Sequence, residues 1–285
     1  MKLSEIIAFN RLTLQGTPIW IYPDEWVSPP TLYNYGLPRH VFHLINLPQN
    51  TDPTEADVLC LLLNRLATRA PDKIIRYLEI GVSVGKNAHQ IATYSRKFLH
   101  KSDLHCIELE KPNATFFNLL NSSYGMQSPT IETFPLSQKK PIQSYISPRK
   151  DLEDKIFSWK SGDHSFVYHE GDEFDQSVWS PQTFGGPINL VFSDALHTPD
   201  ALMHEYLMLK MGGHLNFENL IYCFDDLESY ENGPMWESVY KIHYDLKSKN
   251  PALELRHFQV NGWLGQHEYK HNFGVISSDD LLDFS

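Results

Sequence analysis

From residue 73 onward the chain alternates apolar strand-like runs with helical patterns, which predicts an α/β fold with a mostly parallel sheet and helices on both faces. The runs at 253–260 and 272–278 alternate apolar and polar residues around Asn261-Gly262-Trp263, the pattern of an antiparallel C-terminal hairpin that would bring the sheet to seven strands. Arg76-Tyr77-Leu78-Glu79-Ile80 runs straight into Gly81-Val82-Ser83-Val84-Gly85-Lys86-Asn87, an apolar strand entering a glycine-bearing turn that opens a helix.

Residues 1–50 carry Trp20, Tyr22, Trp26, Tyr33 and Tyr35 among prolines at 18, 23, 29, 30 and 38, too broken a mixture for regular helices, and read as an aromatic cap. Ala56, Val58, Leu59, Leu62, Leu63 and Leu66 form the apolar stripe of a helix over 54–69, with Pro53 at its start. The boundary between cap with lead-in helix (1–70) and main domain (71–285) follows. The parallel strands are expected at 73–80, 103–109, 165–170, 188–193 and 213–218, and further helices near 111–121, after 200 and near 234–248. The interval 122–162 contains Pro129, Pro135, Pro141, Pro148 and many serines, and so long a connection within a domain reads as a substrate-side lid.

Composition narrows the partners. The chain has 285 residues, with 35 acidic against 24 basic side chains and a net charge of -11, so its field opposes nucleic acid and anionic membrane. Lys139-Lys140 and Arg149-Lys150 read as solvated loop rather than a basic patch. Cys60, Cys106 and Cys223 each sit in an apolar run as buried free thiols, which suits a reducing compartment. No signal peptide and no membrane-spanning run is evident, so a cytoplasmic location is expected. The aromatic, Pro-rich arm could pack on a partner subunit in a homo-oligomer.

The spacing Gly81-x-x-x-Gly85 differs from the GxGxxG of dinucleotide sites, and Glu79 just before the turn would repel a pyrophosphate but welcome an ammonium. The segment resembles the first motif of class I S-adenosylmethionine-dependent methyltransferases, an acidic residue followed by GxGxG, with Ser83 in place of the middle glycine. The resemblance covers roughly 73–278 and implies a Rossmann-like methyltransferase fold with S-adenosylmethionine bound by Glu79, Gly81, Ser83 and Gly85. In an open parallel sheet ligands collect beyond the carboxyl ends of the strands. Glu108 ends the second strand, 23 positions after Gly85, where a carboxylate can accept from both ribose hydroxyls. Asp172, in His169-Glu170-Gly171-Asp172, resembles the family's acidic contact to the adenine amino group, although Gly-Asp after a strand is equally a turn.

On the reacting side, the expected strand ends Ser193-Asp194-Ala195-Leu196-His197 and Phe217-Glu218-Asn219 should be neighbours. Asp194, Glu218 and Asn219 would then group hard oxygen donors suited to Mg²⁺ or another hard divalent cation. This is similar to the cation-dependent, catechol O-methyltransferase type, in which an aspartate after strand four and an Asp-Asn pair after strand five hold magnesium. His197 stands where that family keeps a general base, and Asp194 also serves the cofactor side.

The expectation is therefore a methyltransferase of secondary metabolism that O-methylates a small-molecule acceptor, with a divalent cation and His197 as base. A metal-independent N-methyltransferase and a non-catalytic S-adenosylmethionine-binding protein are the alternatives. A nicotinamide oxidoreductase is disfavoured by Glu79 and the missing GxGxxG.

Overall fold

The computed structural model describes the chain except residues 15–52, 83–84, 110–111, 113, 136–152, 181–182, 229–230, 265–266 and 283–285. The aromatic residues assigned to the cap, Trp20, Tyr22, Trp26, Tyr33 and Tyr35, lie outside the described residues, as does Ser83.

Among the described residues two helices precede the sheet, α1 (Leu3–Leu14) and α2 (Glu55–Arg69). The first corrects the expectation that residues 1–50 are too broken for helix: the prolines begin at 18, and the twelve residues of α1 carry Ile6, Ile7 and Asn10 to a buried face. Asp57 joins the two helices. Its carboxylate accepts from the Thr54 backbone N–H (2.9 Å) at the start of α2 and from Asn10 Nδ2 (2.8 Å) and lies 3.2 Å from the Arg11 guanidinium.

The sheet follows as β1 (Ile75–Ile80), β2 (Ser102–Glu108), β3 (Thr130–Pro135), β4 (Glu153–Ser161), β5 (His164–Glu170), β6 (Leu190–Ser193), β7 (Ile221–Leu227), β8 (Leu253–Leu264) and β9 (His267–Ser278). Its order is β3-β4-β5-β2-β1-β6-β7-β9-β8. The central strands β5, β2, β1, β6 and β7 are mutually parallel, as expected, and the C-terminal pair β8–β9 is antiparallel, with β9 placed against β7. The expectation of seven strands is corrected to a nine-stranded mixed sheet: the flanks of the interval read as a lid form β3 and β4, which extend the sheet antiparallel from β5. The hairpin reading is corrected in register, since Asn261, Gly262 and Trp263 lie within β8, paired with Lys270, Tyr269 and Glu268.

The helices between strands are α3 (Lys86–Phe98), α4 (Ala114–Tyr124), α5 (Pro199–Met211) and α6 (Pro234–Lys249), with the short α7 (Asp279–Leu282) after β9. Because strand side chains alternate, the sheet carries two cores. One packs Tyr77, Leu104, Cys106, Tyr168, Phe192 and Cys223 against α1 to α4, and the other packs Leu78, Ile80, Ile107, Val191, Tyr222 and Phe224 against α5 and α6. All three cysteines are free and buried, two on strands of the first core and Cys60 on α2, so they act as small apolar groups. No helix among the described residues is long and apolar enough to cross a membrane.

Candidate functional site

Strand order reverses beside β1, with β2 on one side and β6 on the other. The tips of these three strands are laced together: Gly81 N–H donates to Ile107 O (2.9 Å), Asp194 N–H to Ile80 O (2.8 Å) and Val82 N–H to Glu108 Oε2 (2.7 Å). Gly81 has φ +84°, and a Cβ there would overlap the Asp194 carbonyl oxygen and lie 2.5 Å from Ala195 Cα. Only glycine lets the turn after β1 press against the end of β6. Gly85 starts α3 at the same φ, and its missing Cβ makes room for the Phe116 ring of α4, 2.6 Å from where it would stand.

Glu79 is buried at 1% exposure, and its Oε2 accepts from Tyr77 OH at 2.9 Å. Burial pushes its carboxyl up to about 8; the nearby carboxylates of Glu55 and Glu108 push the same way, and Tyr77 and Lys86 oppose. Glu55, the first residue of α2, is also buried and takes a 2.9 Å hydrogen bond from Asn87 Nδ2 of α3. Burial, with Glu55, Glu79 and Asp226 as neighbours, holds the Asp194 carboxyl well above the usual carboxylate range.

Glu108 stands at the tip of β2 and orients the turn by accepting from Val82 N–H. Asp172 is buried in the turn after β5, and its Oδ1 accepts from Phe174 N–H at 2.9 Å, so the turn reading of Gly171-Asp172 describes its local role. Asp172 and Glu108 nonetheless belong to the same edge of the sheet as Glu79, because Glu108 pairs with Glu170 in the β2–β5 register.

The expected strand at 213–218 is a correction. Residues 212–220 form a loop touching the sheet through a single bridge, Ile188 to Leu215, and the true strand is β7, starting at Ile221. Glu218 is exposed and, with Asn219, lies before β7, at the opposite end of the strand from Asp194. The residues that reach Asp194 are Asp225 and Asp226. Ser193 pairs with Phe224, so the next residue on each strand, Asp194 and Asp225, stands level. The ladder between β7 and β9 shifts register between Phe224 and Leu227, and Asp226 adopts φ +48°, a left-handed conformation that aspartate tolerates.

His197 lies between carboxylates, with Nε2 3.4 Å from Asp194 Oδ1 and Nδ1 3.6 Å from Asp226 Oδ2. Its Nε2 is buried without a hydrogen-bond partner. Asp194, His197 and Asp225 each bring one ligand atom to within 4.8 Å of the others, a spacing that can close around a divalent ion. The site therefore joins Glu79, Gly81, Gly85, Glu108, Asp194 and His197 from the sequence motifs to Glu55, Tyr77, Asp225 and Asp226, which the motifs did not include. The signal for the last two was present: Ile221-Tyr222-Cys223-Phe224 is an apolar, aromatic run ending in Asp-Asp.

No protein-family model matches the chain, and no curated protein matches it in sequence. Among solved structures it is similar to cofactor-bound Rv0187 from MTB (15% identity, 98% of each chain, TM-score 0.43). It is also similar to CalS11, a TDP-rhamnose 3'-O-methyltransferase of calicheamicin biosynthesis (16% identity, 96% of this chain and 93% of that one, TM-score 0.41). A third is the SAH-bound Podospora anserina methyltransferase PaMTH1 (13% identity, 97% of this chain and 94% of that one, TM-score 0.39). Likenesses this distant decide neither chemistry nor substrate, which rest on the side chains described above.

Proposed function

We propose that this chain is an S-adenosylmethionine-dependent methyltransferase that O-methylates a small-molecule acceptor. The observation that carries the reading is the crowding of carboxyls at the strand tips: burial and neighbouring carboxylates push both Glu79 and Asp194 up, around a glycine turn set against the end of β6. A ligand bearing an ammonium and a sulfonium relieves that repulsion, whereas the pyrophosphate of a nicotinamide dinucleotide adds to it. The donor set thus fits the cofactor named by the sequence motif.

When bound, S-adenosylmethionine supplies an activated methyl group. Glu79, steadied by Tyr77, takes the ammonium, and Glu108 accepts from the ribose hydroxyls. Asp172 is the candidate for the adenine amino group. The acceptor hydroxyl gives its proton to the Asp194–His197 pair, with Nε2 as the basic atom and Asp226, near Nδ1, stabilising the imidazolium.

The close approach of Asp194, His197 and Asp225 favours a second reading, in which these three hold Mg²⁺ or a similar ion that orients the acceptor and lowers its hydroxyl pKa. Asp225 and Asp226 then take the place that the resemblance gave to Glu218 and Asn219. Calorimetry with S-adenosylmethionine, S-adenosylhomocysteine and NAD tests the primary reading: the first two should bind and NAD should not. Binding of NAD alone would overturn it. Insensitivity of methyl transfer to chelators would exclude the metal and leave His197 as base.

A further inference from the structure

Two carboxyl groups outside the motifs, Glu173 half-buried and Glu205 buried, connect the halves of the site. Glu173 follows Asp172 in the loop after β5, and Glu205 lies in the middle of α5 at 0% exposure. Ser193, the last residue of β6 and the neighbour of Asp194, donates its hydroxyl to Glu205 Oε2 at 2.6 Å. On the loop side, the Glu173 carbonyl oxygen accepts from Trp179 Nε1 at 2.6 Å and lies 3.1 Å from His204 Nε2 on α5.

The two side chains are hydrogen-bond partners of one another. Each nevertheless keeps one buried oxygen, Glu173 Oε2 and Glu205 Oε1, for which no donor exists unless a carboxyl carries a proton. Two ionised carboxylates in contact would leave both orphaned and repelling, so one proton between them resolves both problems. Burial, followed by Glu205, pushes Glu173 up, and burial pushes Glu205 up as well, so the pair holds a proton between them. The groups facing the pair keep the proton there: Asp172 in the loop, Glu108 from β2, Asp194 after β6 and the unpartnered Tyr222 hydroxyl from β7, while burial pushes the His204 imidazole down.

We propose that Glu173 and Glu205 are positioning residues that share a single proton and thereby tie the loop carrying Asp172 to the strand tip carrying Asp194, fixing the distance between the adenine and reacting ends of the site. The inference rests on the cofactor reading for its purpose and on the side-chain contacts for its existence. Loss of the proton would separate the two carboxylates and release the loop from α5.

Glu173→Gln tests this directly, because its amide donates to Glu205 at every pH and does not titrate. Calorimetry with S-adenosylhomocysteine between pH 7 and 10.5 should show wild-type affinity falling on the alkaline side relative to the Glu173→Gln variant, in which the Glu79 contribution is the same. The Glu173→Gln variant should match wild type within about threefold near pH 7 and lose at least about tenfold less across the alkaline range. Titration of the ligand's own amine is common to both proteins and cancels in that comparison. Glu205→Ala should weaken binding throughout. An identical alkaline fall in wild type and Glu173→Gln, or unchanged affinity in Glu205→Ala, would overturn the proposal.

If wild type binds no S-adenosylhomocysteine, the cofactor reading fails, and the pair is judged alone by infrared spectroscopy and thermal unfolding. A carboxyl whose folded pKa is raised binds its proton more tightly when folded, so stability falls as pH rises from about 4.5 toward the raised folded pKa. Wild type should show that fall together with the carbonyl band of a protonated carboxyl, and Glu173→Gln should lack both. Retention of band and slope in the variant would refute the shared proton.

Discussion

Protonation of Glu79 makes cofactor binding pH-dependent in a direction that can be worked out. With a pKa of about 8, Glu79 is about nine-tenths protonated at pH 7 before the ligand arrives. An ammonium placed against it favours the charged form, so the proton must leave, at a cost of about 1.4 kcal/mol at pH 7 that vanishes above pH 9. Affinity for S-adenosylmethionine should therefore rise about tenfold from pH 7 to the alkaline plateau, before the ligand's own amine titrates. Binding at pH 7 should release about 0.9 proton from this group. Calorimetry at pH 7 in buffers of different ionisation enthalpy measures that number. Glu79→Gln keeps an acceptor for Tyr77 OH but has no proton to lose, so the difference between wild type and variant isolates Glu79 from Asp194. Equal proton release in the two proteins, or none in wild type, would refute the assignment of Glu79 to the ammonium. The same raised pKa makes the folded state bind a proton that the unfolded chain gives up, so without ligand stability should fall as pH climbs from about 4.5 through about 8.

Gly81→Val should abolish cofactor binding and cost about 2 kcal/mol or more in stability, since the new side chain meets the Asp194–Ala195 backbone at φ +84°; denaturant unfolding and calorimetry read the two effects. Asp194→Ala should eliminate methyl transfer while changing the S-adenosylhomocysteine dissociation constant by no more than about threefold, and a fully active variant would refute the reacting-side assignment. Burial alone would raise Asp103, but hydrogen bonds from His105 and Ser165 and the Arg76 charge outweigh it and hold the carboxyl at about 2. That contribution, about 2 kcal/mol, is present above pH 3.8 and lost as pH falls through about 2, so Asp103→Ala should flatten the acid limb of the unfolding curve.

The first half of the site was legible because its signals are local. An apolar strand, two glycines and a helix start are consecutive in the chain, and the carboxylate ending the next strand falls at a regular spacing. The second half depended on where one strand begins. Gly212-Gly213 followed by His214-Leu215-Asn216-Phe217 mimics a turn and an alternating strand, but the pairing energy belongs to Ile221-Tyr222-Cys223-Phe224, buried on both faces between β6 and β9. Choosing the weaker run displaced the acidic pair from Asp225-Asp226 to Glu218-Asn219. Glu55 and the Glu173–Glu205 pair were invisible for a different reason: each acts through a contact between elements distant in sequence, and nothing within its own segment distinguishes it from a surface carboxylate.

Register explains why so many carboxylates meet at one place. Ile80 pairs with Ile107 and with Ser193, and Ser193 with Phe224, so the residues one step beyond these, Gly81, Glu108, Asp194 and Asp225, stand side by side. Parallel strands alone would require no charge there, and apolar tips would relieve the repulsion that now raises Glu79 and Asp194. A set of side chains that weakens the folded state by itself is coherent when its counter-charge comes from outside the chain. On the proposed reading that counter-charge is the ammonium of the ligand. The turn at Gly81, level with those charges and free of a side chain, is where such a ligand can approach the backbone most closely.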